Sequence, residues 1–201
     1  MKCLFCDEYI DRYTFSSLFL QEDHLCVKCR NALKVCREYL NIDELMIECL
    51  YEYDGIFKSM LIQYKECYDE ALSEIFLYKL KEYIELKYHG FELLFVPSSK
   101  TKLEERGFNH LELIFKDVRL KRVKGLHMKE DLIQEGKSLS ERKVMINNYI
   151  YKGNRLNKVL IVDDVLTTGS SIYGVYNAIK PYCGGSIKAL SLSRKRFHLD
   201  K

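Results

Sequence analysis

Two prolines in 201 residues leave little room for disordered linkers. No apolar run approaches the roughly 18 consecutive residues of a membrane-spanning helix, which argues against a transmembrane segment. The start, Met1-Lys2-Cys3-Leu4-Phe5-Cys6, lacks the long apolar stretch of a secretory leader. Neither charge sign dominates: 32 Lys and Arg stand against 29 Asp and Glu, and a net charge of +3 does not by itself announce nucleic-acid binding. What is present is an apolar fraction of 47%, enough for a real core, on a chain long enough for one α/β domain with a small appendage. A cytoplasmic protein is the expectation.

The stretch Val159-Leu160-Ile161-Val162-Asp163-Asp164-Val165-Leu166-Thr167-Thr168-Gly169-Ser170-Ser171 organises the chain. Four apolar residues without alternation suit a strand buried on both faces of a parallel sheet. Two carboxylates follow where that strand is predicted to end. A loop of small hydroxylated residues then leads into a helical pattern from Ile172 to Ile179. Backbone N–H groups at a helix start attract anions. Thr167, Thr168, Ser170 and Ser171 add hydroxyl donors, and Gly169 allows close backbone approach. The loop therefore suits a phosphate, although it lacks the lysine and the longer spacing of a Walker-type loop. Asp163 and Asp164 suit a pair of sugar hydroxyls with a divalent cation nearby. A ribose 5-phosphate satisfies both halves; the plainer alternative is a strand–turn–helix with solvated acids.

Eight cysteines in an intracellular chain point to metal before disulfide. Cys3-x-x-Cys6 and Cys26-x-x-Cys29 have the spacing of a four-cysteine structural zinc site, with no coordination position left for catalysis. His24 is an alternative to one of the four. Cys36, Cys49, Cys67 and Cys183 read as small buried hydrophobes. Residues 1–40 form a zinc-ribbon-like extension in this reading, too short to bury a core without metal, and residues 41–201 form the main domain.

Along the chain, Asn31 to Tyr39 reads as a short helix, Leu45 to Glu52 as a strand, and Tyr53-Asp54-Gly55 as a turn. Ile56 to Tyr64 and Asp69 to Lys87 carry helical periodicity, with tyrosines read as core and rim. Phe91 to Val96 is a second short strand, ending in the loop Pro97-Ser98-Ser99-Lys100. If it lies beside Val159–Val162, Lys100 and the Ser98–Ser99 backbone face the same pocket. Arg106-Gly107-Phe108-Asn109-His110 leads a helix to about Phe115. The planar fork of Arg106 suits pyrophosphate; a salt bridge to Glu104 or Glu105 is the alternative. Lys116, Arg119, Lys121, Arg122, Lys124 and Lys129, set against Asp117 alone, could track a nucleic-acid backbone or be a solvated face. Glu130 to Arg142 is polar, with Lys137 and Arg142 as anion candidates, and Ile187 to Ser193 reads as a last strand before the basic Arg194-Lys195-Arg196.

Residues Val159 to Ser171 resemble the phosphoribosyl pyrophosphate (PRPP) motif of type I phosphoribosyltransferases. The resemblance implies that Asp163 and Asp164 hold the ribose hydroxyls and Thr167, Thr168, Gly169, Ser170 and Ser171 the 5-phosphate, with Mg²⁺ accompanying PRPP. It also implies that the loop holding Ser99 and Lys100 contacts pyrophosphate. The paired Cys-x-x-Cys, Tyr53-Asp54-Gly55, Tyr64-Lys65, Val96-Pro97, Arg106-Gly107-Phe108-Asn109 and the PRPP motif, in this order, resemble the ComF (ComFC) competence family over nearly the whole chain. That family implies a type I phosphoribosyltransferase-like parallel sheet with helices on both faces, plus the zinc-binding extension. It also implies a role in uptake of single-stranded transforming DNA with a ComFA-type helicase. Gln134, Leu139 and Arg142 match the family's cover stretch only loosely. Thr167 stands where purine-salvage relatives carry an aspartate base, and threonine cannot do that work at neutral pH. An active phosphoribosyltransferase with an unidentified acceptor and a nucleotide-sensing regulator are the competing functions.

Overall fold

The structure is a computed structural model that describes residues 1–10, 24–128 and 148–196. Its centre is a five-stranded, mostly parallel sheet. Strands β1 (Val35–Ile42) and β2 (Leu45–Glu52) form an antiparallel hairpin. Its two-residue turn places Asp43 at φ 52°, a left-handed conformation that aspartate tolerates. β2 then runs parallel to β7 (Ile187–Arg194), β7 to β6 (Val159–Leu166), and β6 to β3 (Glu92–Phe95), in the order β1-β2-β7-β6-β3.

Both faces are covered. Helices α2 (Gly55–Glu66), α3 (Lys81–Lys87) and α5 (His110–Ile114) pack their apolar sides on one face, with Leu160, Val162, Leu190 and Leu192 of the sheet. Helix α6 (Ser170–Ile179) covers the other, against Val159, Ile161 and Ala189. A short antiparallel pair of strands, β4 (Leu126–Met128) and β5 (Tyr149–Tyr151), lies on that second face. Val159 to Val162 are fully buried because each residue meets a covered face. Burying such side chains contributes about 1.5–3 kcal/mol each, so this stretch anchors the sheet.

Several local expectations change. Residues 35–42 form the edge strand β1, whereas a helix was predicted over Asn31 to Tyr39; only α1 (Val27–Ala32) is helical there. Cross-strand pairing with β2 overrides the local pattern. The predicted helix from Asp69 to Lys87 is broken into a 3-10 turn, Glu70–Glu74, and α3. Lys79 adopts φ 59° just before α3, which a continuous helix does not permit. Of the four isolated cysteines only Cys49 is buried; Cys36 and Cys67 are exposed and Cys183 is intermediate. No helix among the described residues is long and apolar enough to cross a membrane.

Candidate functional site

β6 continues through the acid pair to Leu166, hydrogen-bonded in register with β7 as far as Arg194. The two carboxylates therefore lie within the strand rather than after it. Successive strand residues point to opposite faces, and the acids follow that rule. Asp164 continues the Leu160–Val162 row and Asp163 the Val159–Ile161 row.

On the Asp164 side, three distant segments converge. Lys65 Nζ, at the end of α2, forms an ion pair with Asp164 Oδ2, and His110 Nε2 lies 2.7 Å from the same oxygen. His110 Nδ1 is 3.3 Å from Ser98 Oγ. Burial alone would raise the Asp164 carboxyl. The His110 imidazole, 2.7 Å away, and the Lys65 ammonium instead hold it well below the usual carboxylate range. Burial lowers the titration of His110, against the pull of Asp164.

Residues 106–110 build this arrangement. Arg106 ends α4 (Lys100–Arg106), and Gly107 at φ 80° closes that helix by donating its N–H to Leu103 O. Phe108 packs on the Tyr64 ring at 5.4 Å. Asn109 caps α5 by accepting from Glu112 N, and the Tyr64 hydroxyl donates to His110 O at 2.8 Å. The segment is a helix–turn–helix corner that delivers Arg106 and His110 to Asp164. Arg106 is buried, donates its Nε to Lys65 O at 3.2 Å, and leaves Nη1 without a hydrogen-bond partner. It makes no ion pair with Glu104 or Glu105.

On the opposite face, burial, reinforced by the adjacent Asp164 carboxylate, pushes Asp163 up to about 7. Tyr149 on β5 lies in its field and close to Ser171. The Thr167–Ser171 loop follows. Thr167 and Thr168 are exposed, Ser170 and Ser171 half-buried. Gly169 sits at φ 77° as the residue before α6, and a Cβ there would collide with Ile42 Cδ1. Gly169 offers no side chain to cap α6; Thr168 Oγ1 accepts from Ser170 N at 3.4 Å, and the following first-turn N–H groups have no intrahelical partner. Thr168 Oγ1 and Ser170 Oγ share a hydrogen bond there.

Parallel pairing of Phe95 with Val162 sets the Pro97–Lys100 loop beside these residues. Ser99 spends its hydroxyl capping α4, accepting from Lys102 N at 3.4 Å, and Lys100 is exposed. The structure thus gathers Asp163, Asp164, Arg106, the Ser98–Lys100 loop and the Thr167–Ser171 loop at one end of the sheet. Lys137, Arg142, Gln134 and Leu139, with the whole Glu130–Arg142 stretch, lie outside the described residues. His110 and Tyr149 were missed as site residues by sequence reasoning, Ser98 was considered only for its backbone, and Lys65 was noticed only as part of a motif. The position of His110 directly after Asn109 was the available signal.

At the other end of the chain, the Sγ atoms of Cys3, Cys6, Cys26 and Cys29 lie within 4.8 Å of one another, with Cys6 and Cys26 at 3.7 Å. A tetrahedron with metal–sulfur bonds of about 2.3 Å sets its sulfurs about 3.8 Å apart. The four thiols therefore fit a metal ion. His24 is not among them; its Nε2 pairs with Glu74 at 3.1 Å.

No family model matches the chain. Competence protein ComFC of Streptococcus pneumoniae (strain ATCC BAA-255 / R6) is 25% identical over 224 aligned residues, covering 96% of this chain and all of that protein. The chain is a homologue of the ComFC competence proteins. Competence protein ComFC of Bacillus subtilis (strain 168) is 23% identical over 204 residues, 85% of each chain. Among solved structures, the hypoxanthine-guanine phosphoribosyltransferase hpt-2 from Bacillus anthracis str. 'Ames Ancestor' is similar at TM-score 0.42 and 10% identity, over 63% of this chain and 71% of that one. A hypoxanthine phosphoribosyltransferase from Staphylococcus aureus is similar at TM-score 0.35 and 15% identity, over 61% and 62%.

Proposed function

We propose that this ComFC homologue binds PRPP, or a related phosphorylated ribose, at the carboxyl ends of β6 and β3, and supports uptake of single-stranded transforming DNA together with a ComFA-type helicase. The observation that carries the binding reading is the placement of Asp163, near the carboxyl end of β6, and of the start of α6 on either side of the Thr167–Ser171 loop. The loop and helix start receive the 5-phosphate. Asp163 meets the ribose side and, once ionised, offers the oxygen donors that Mg²⁺ prefers. Asp164, engaged by Lys65 and His110, shapes the floor and reaches the ribose only through rearrangement. Arg106 keeps one free guanidinium nitrogen for a pyrophosphate oxygen, and Ser99 and Lys100 approach from the neighbouring loop. Structural zinc on Cys3, Cys6, Cys26 and Cys29 holds the N-terminal unit folded, since Cys3, Cys26 and Cys29 are part of the larger apolar cluster. Competence comes from the relatives' name, and the helicase and DNA from the family resemblance.

Calorimetry of PRPP with and without Mg²⁺ tests the pocket: Asp163→Asn should weaken binding at least tenfold, and equal affinity would refute the assignment. Deleting the gene and scoring transformation tests the biology, with the Asp163→Asn variant as complement. Rescue to wild-type frequency would separate competence from the pocket.

One observation favours a second reading, an active phosphoribosyltransferase. His110 is buried, which disfavours its protonation, and its Nδ1 is 3.3 Å from Ser98 in the loop beside the pocket. It is the proton acceptor that Thr167 cannot be. Pyrophosphate release in the presence of candidate amines and bases, lost in His110→Gln, would establish turnover; no release from any acceptor would leave a binding protein.

A further inference from the structure

A second cluster of cations lies far from the acid pair. At the amino ends of β3 and β6 there is a cavity of about 460 Å³, walled by residues from 89–92, 119–121 and 155–158. These three segments are separated in sequence but fixed to one another through the backbone. Glu92 N donates to Lys158 O at 2.8 Å, and Leu93 N to Lys121 O at 2.7 Å. Leu156 is held on its other side by Tyr182 O and by the N–H of Gly184.

Two cations of the basic stretch singled out in the sequence are paired with acids by the fold, and a third is tied to the backbone. Lys116 pairs with Glu74, Lys121 with Glu92, and the Arg122 guanidinium donates to the carbonyls of Phe115 and Lys116; Lys129 lies outside the described residues. Arg119 instead joins Arg155 and Lys158, which the sequence placed elsewhere. These three cations line the cavity and make no ion pair with a described residue. Its one acid, Glu92, is already paired with Lys121. Phe91 forms an apolar wall, with the ammonium groups of Lys158 and Lys188 at 6.0 and 5.4 Å from its ring centroid. Cations gathered on a concave, partly apolar surface focus a positive potential there.

We propose that this cavity is a second anion site, which binds phosphate groups independently of the pocket at the acid pair. Lys158 and Asp163 are about 16 Å apart along β6, beyond the reach of a single phosphoribosyl group. Arginine and lysine in this arrangement recognise phosphate oxygens, Arg119 and Arg155 by two-pronged hydrogen bonds and Lys158 as a point charge. The phosphates belong either to a free nucleotide or to the backbone of single-stranded nucleic acid.

The test uses the full chain and two probes, ATP by calorimetry and a fluorescent dT20 oligonucleotide by anisotropy over a salt series. Arg155→Ser/Lys158→Ser removes two exposed cations. Lys34→Ser/Lys58→Ser removes the same charge from exposed positions elsewhere. The first variant should weaken at least one probe tenfold or more, and the second should leave both near wild type. Loss of dT20 binding, with the slope of log K on log salt shallower by about 1.4, identifies the strand backbone; loss of ATP alone identifies a free nucleotide. Unchanged binding of both probes, or equal weakening by both variants, overturns the proposal. PRPP calorimetry on Arg155→Ser/Lys158→Ser should match wild type, so failure of this site and failure of the PRPP pocket are read separately.

Discussion

Asp163 and Asp164 are sequence neighbours that serve opposite faces of β6: Asp164 meets Lys65 and His110 on one side, while Asp163 lies toward Tyr149 and α6 on the other. The pair is therefore electrostatically divided. One carboxylate is held ionised by a cation and an imidazole. The other, buried beside its charged neighbour, is poised near neutrality.

That division gives the proposed ligand a pH dependence. Asp163 has a folded value of about 7, above its unfolded value of about 3.9. Its contribution to stability is thus full below the ordinary carboxylate range and is lost as pH rises through about 7. Mg²⁺ and a ribose hydroxyl need the ionised form, so ligand affinity moves the other way. PRPP with Mg²⁺ should bind about tenfold more tightly at pH 8 than at pH 6, and Asp163→Asn should abolish the trend. A flat wild-type profile would mean that Asp163 is ionised throughout.

Lys65 should matter to the fold as well as to the site. Removing one partner of a buried charge leaves the other uncompensated, at a cost of about 3 kcal/mol. Lys65→Met should therefore lower the urea midpoint. It should also raise the titration of His110, because the Lys65 ammonium works against imidazole protonation. The His110 ring-proton NMR signal reads the second effect, which a purely structural loss would not produce. If both stay at wild-type values, Lys65 does not belong to the cluster.

Part of this was legible in the sequence and part was not, for physical reasons. Val159–Val162 signals a two-sided strand because four unbroken apolar residues suit burial on both faces of a sheet, and the cysteine spacing foretells the four-thiol cluster that the fold assembles. The Lys65–Asp164–His110 contact joins residues that no local spacing relates; it exists because α2 and α5 both lie on one face of the sheet. Likewise, β1 reads as helical until β2 supplies its hydrogen-bond partners. The end of β6 was misplaced because pairing with β7, not local composition, carries the strand past the acids.

Glu48 shows the same tertiary logic outside the site. It is buried on β2 and accepts from Tyr83, Tyr88, Tyr39 and Lys87, at 2.5, 2.6, 3.1 and 2.7 Å. Burial opposes its ionisation, but Lys87 and the hydroxyls of Tyr83 and Tyr88 hold it below the usual carboxylate range. Its stabilisation is present above the unfolded carboxylate value and lost as pH falls through the depressed folded one. Glu48→Gln should cost about 2 kcal/mol at pH 7, and the gap to wild type should narrow in acid. Urea titrations at pH 7 and at pH 3 check this; a constant gap would show that charge is not the source.

The cysteine cluster makes the last prediction. Cys3, Cys26 and Cys29 are buried in the apolar cluster that also contains Leu50, Tyr51 and Phe57, so metal loss should be felt beyond the N-terminal unit. Burial, with the neighbouring thiols, pushes the Cys29 thiol above its ordinary range. Four crowded thiols cannot ionise together unless a cation compensates them. The purified chain should carry one equivalent of zinc by elemental analysis, and Cys26→Ser should lose it. A strong chelator should lower the melting temperature by about 10 °C, corresponding to about 3 kcal/mol for a chain of this size. Zinc should restore it, whereas Mg²⁺ should not, because thiolates select soft ions over hard ones. A chain that carries no metal and melts at the same temperature in chelator would show that packing alone holds the unit.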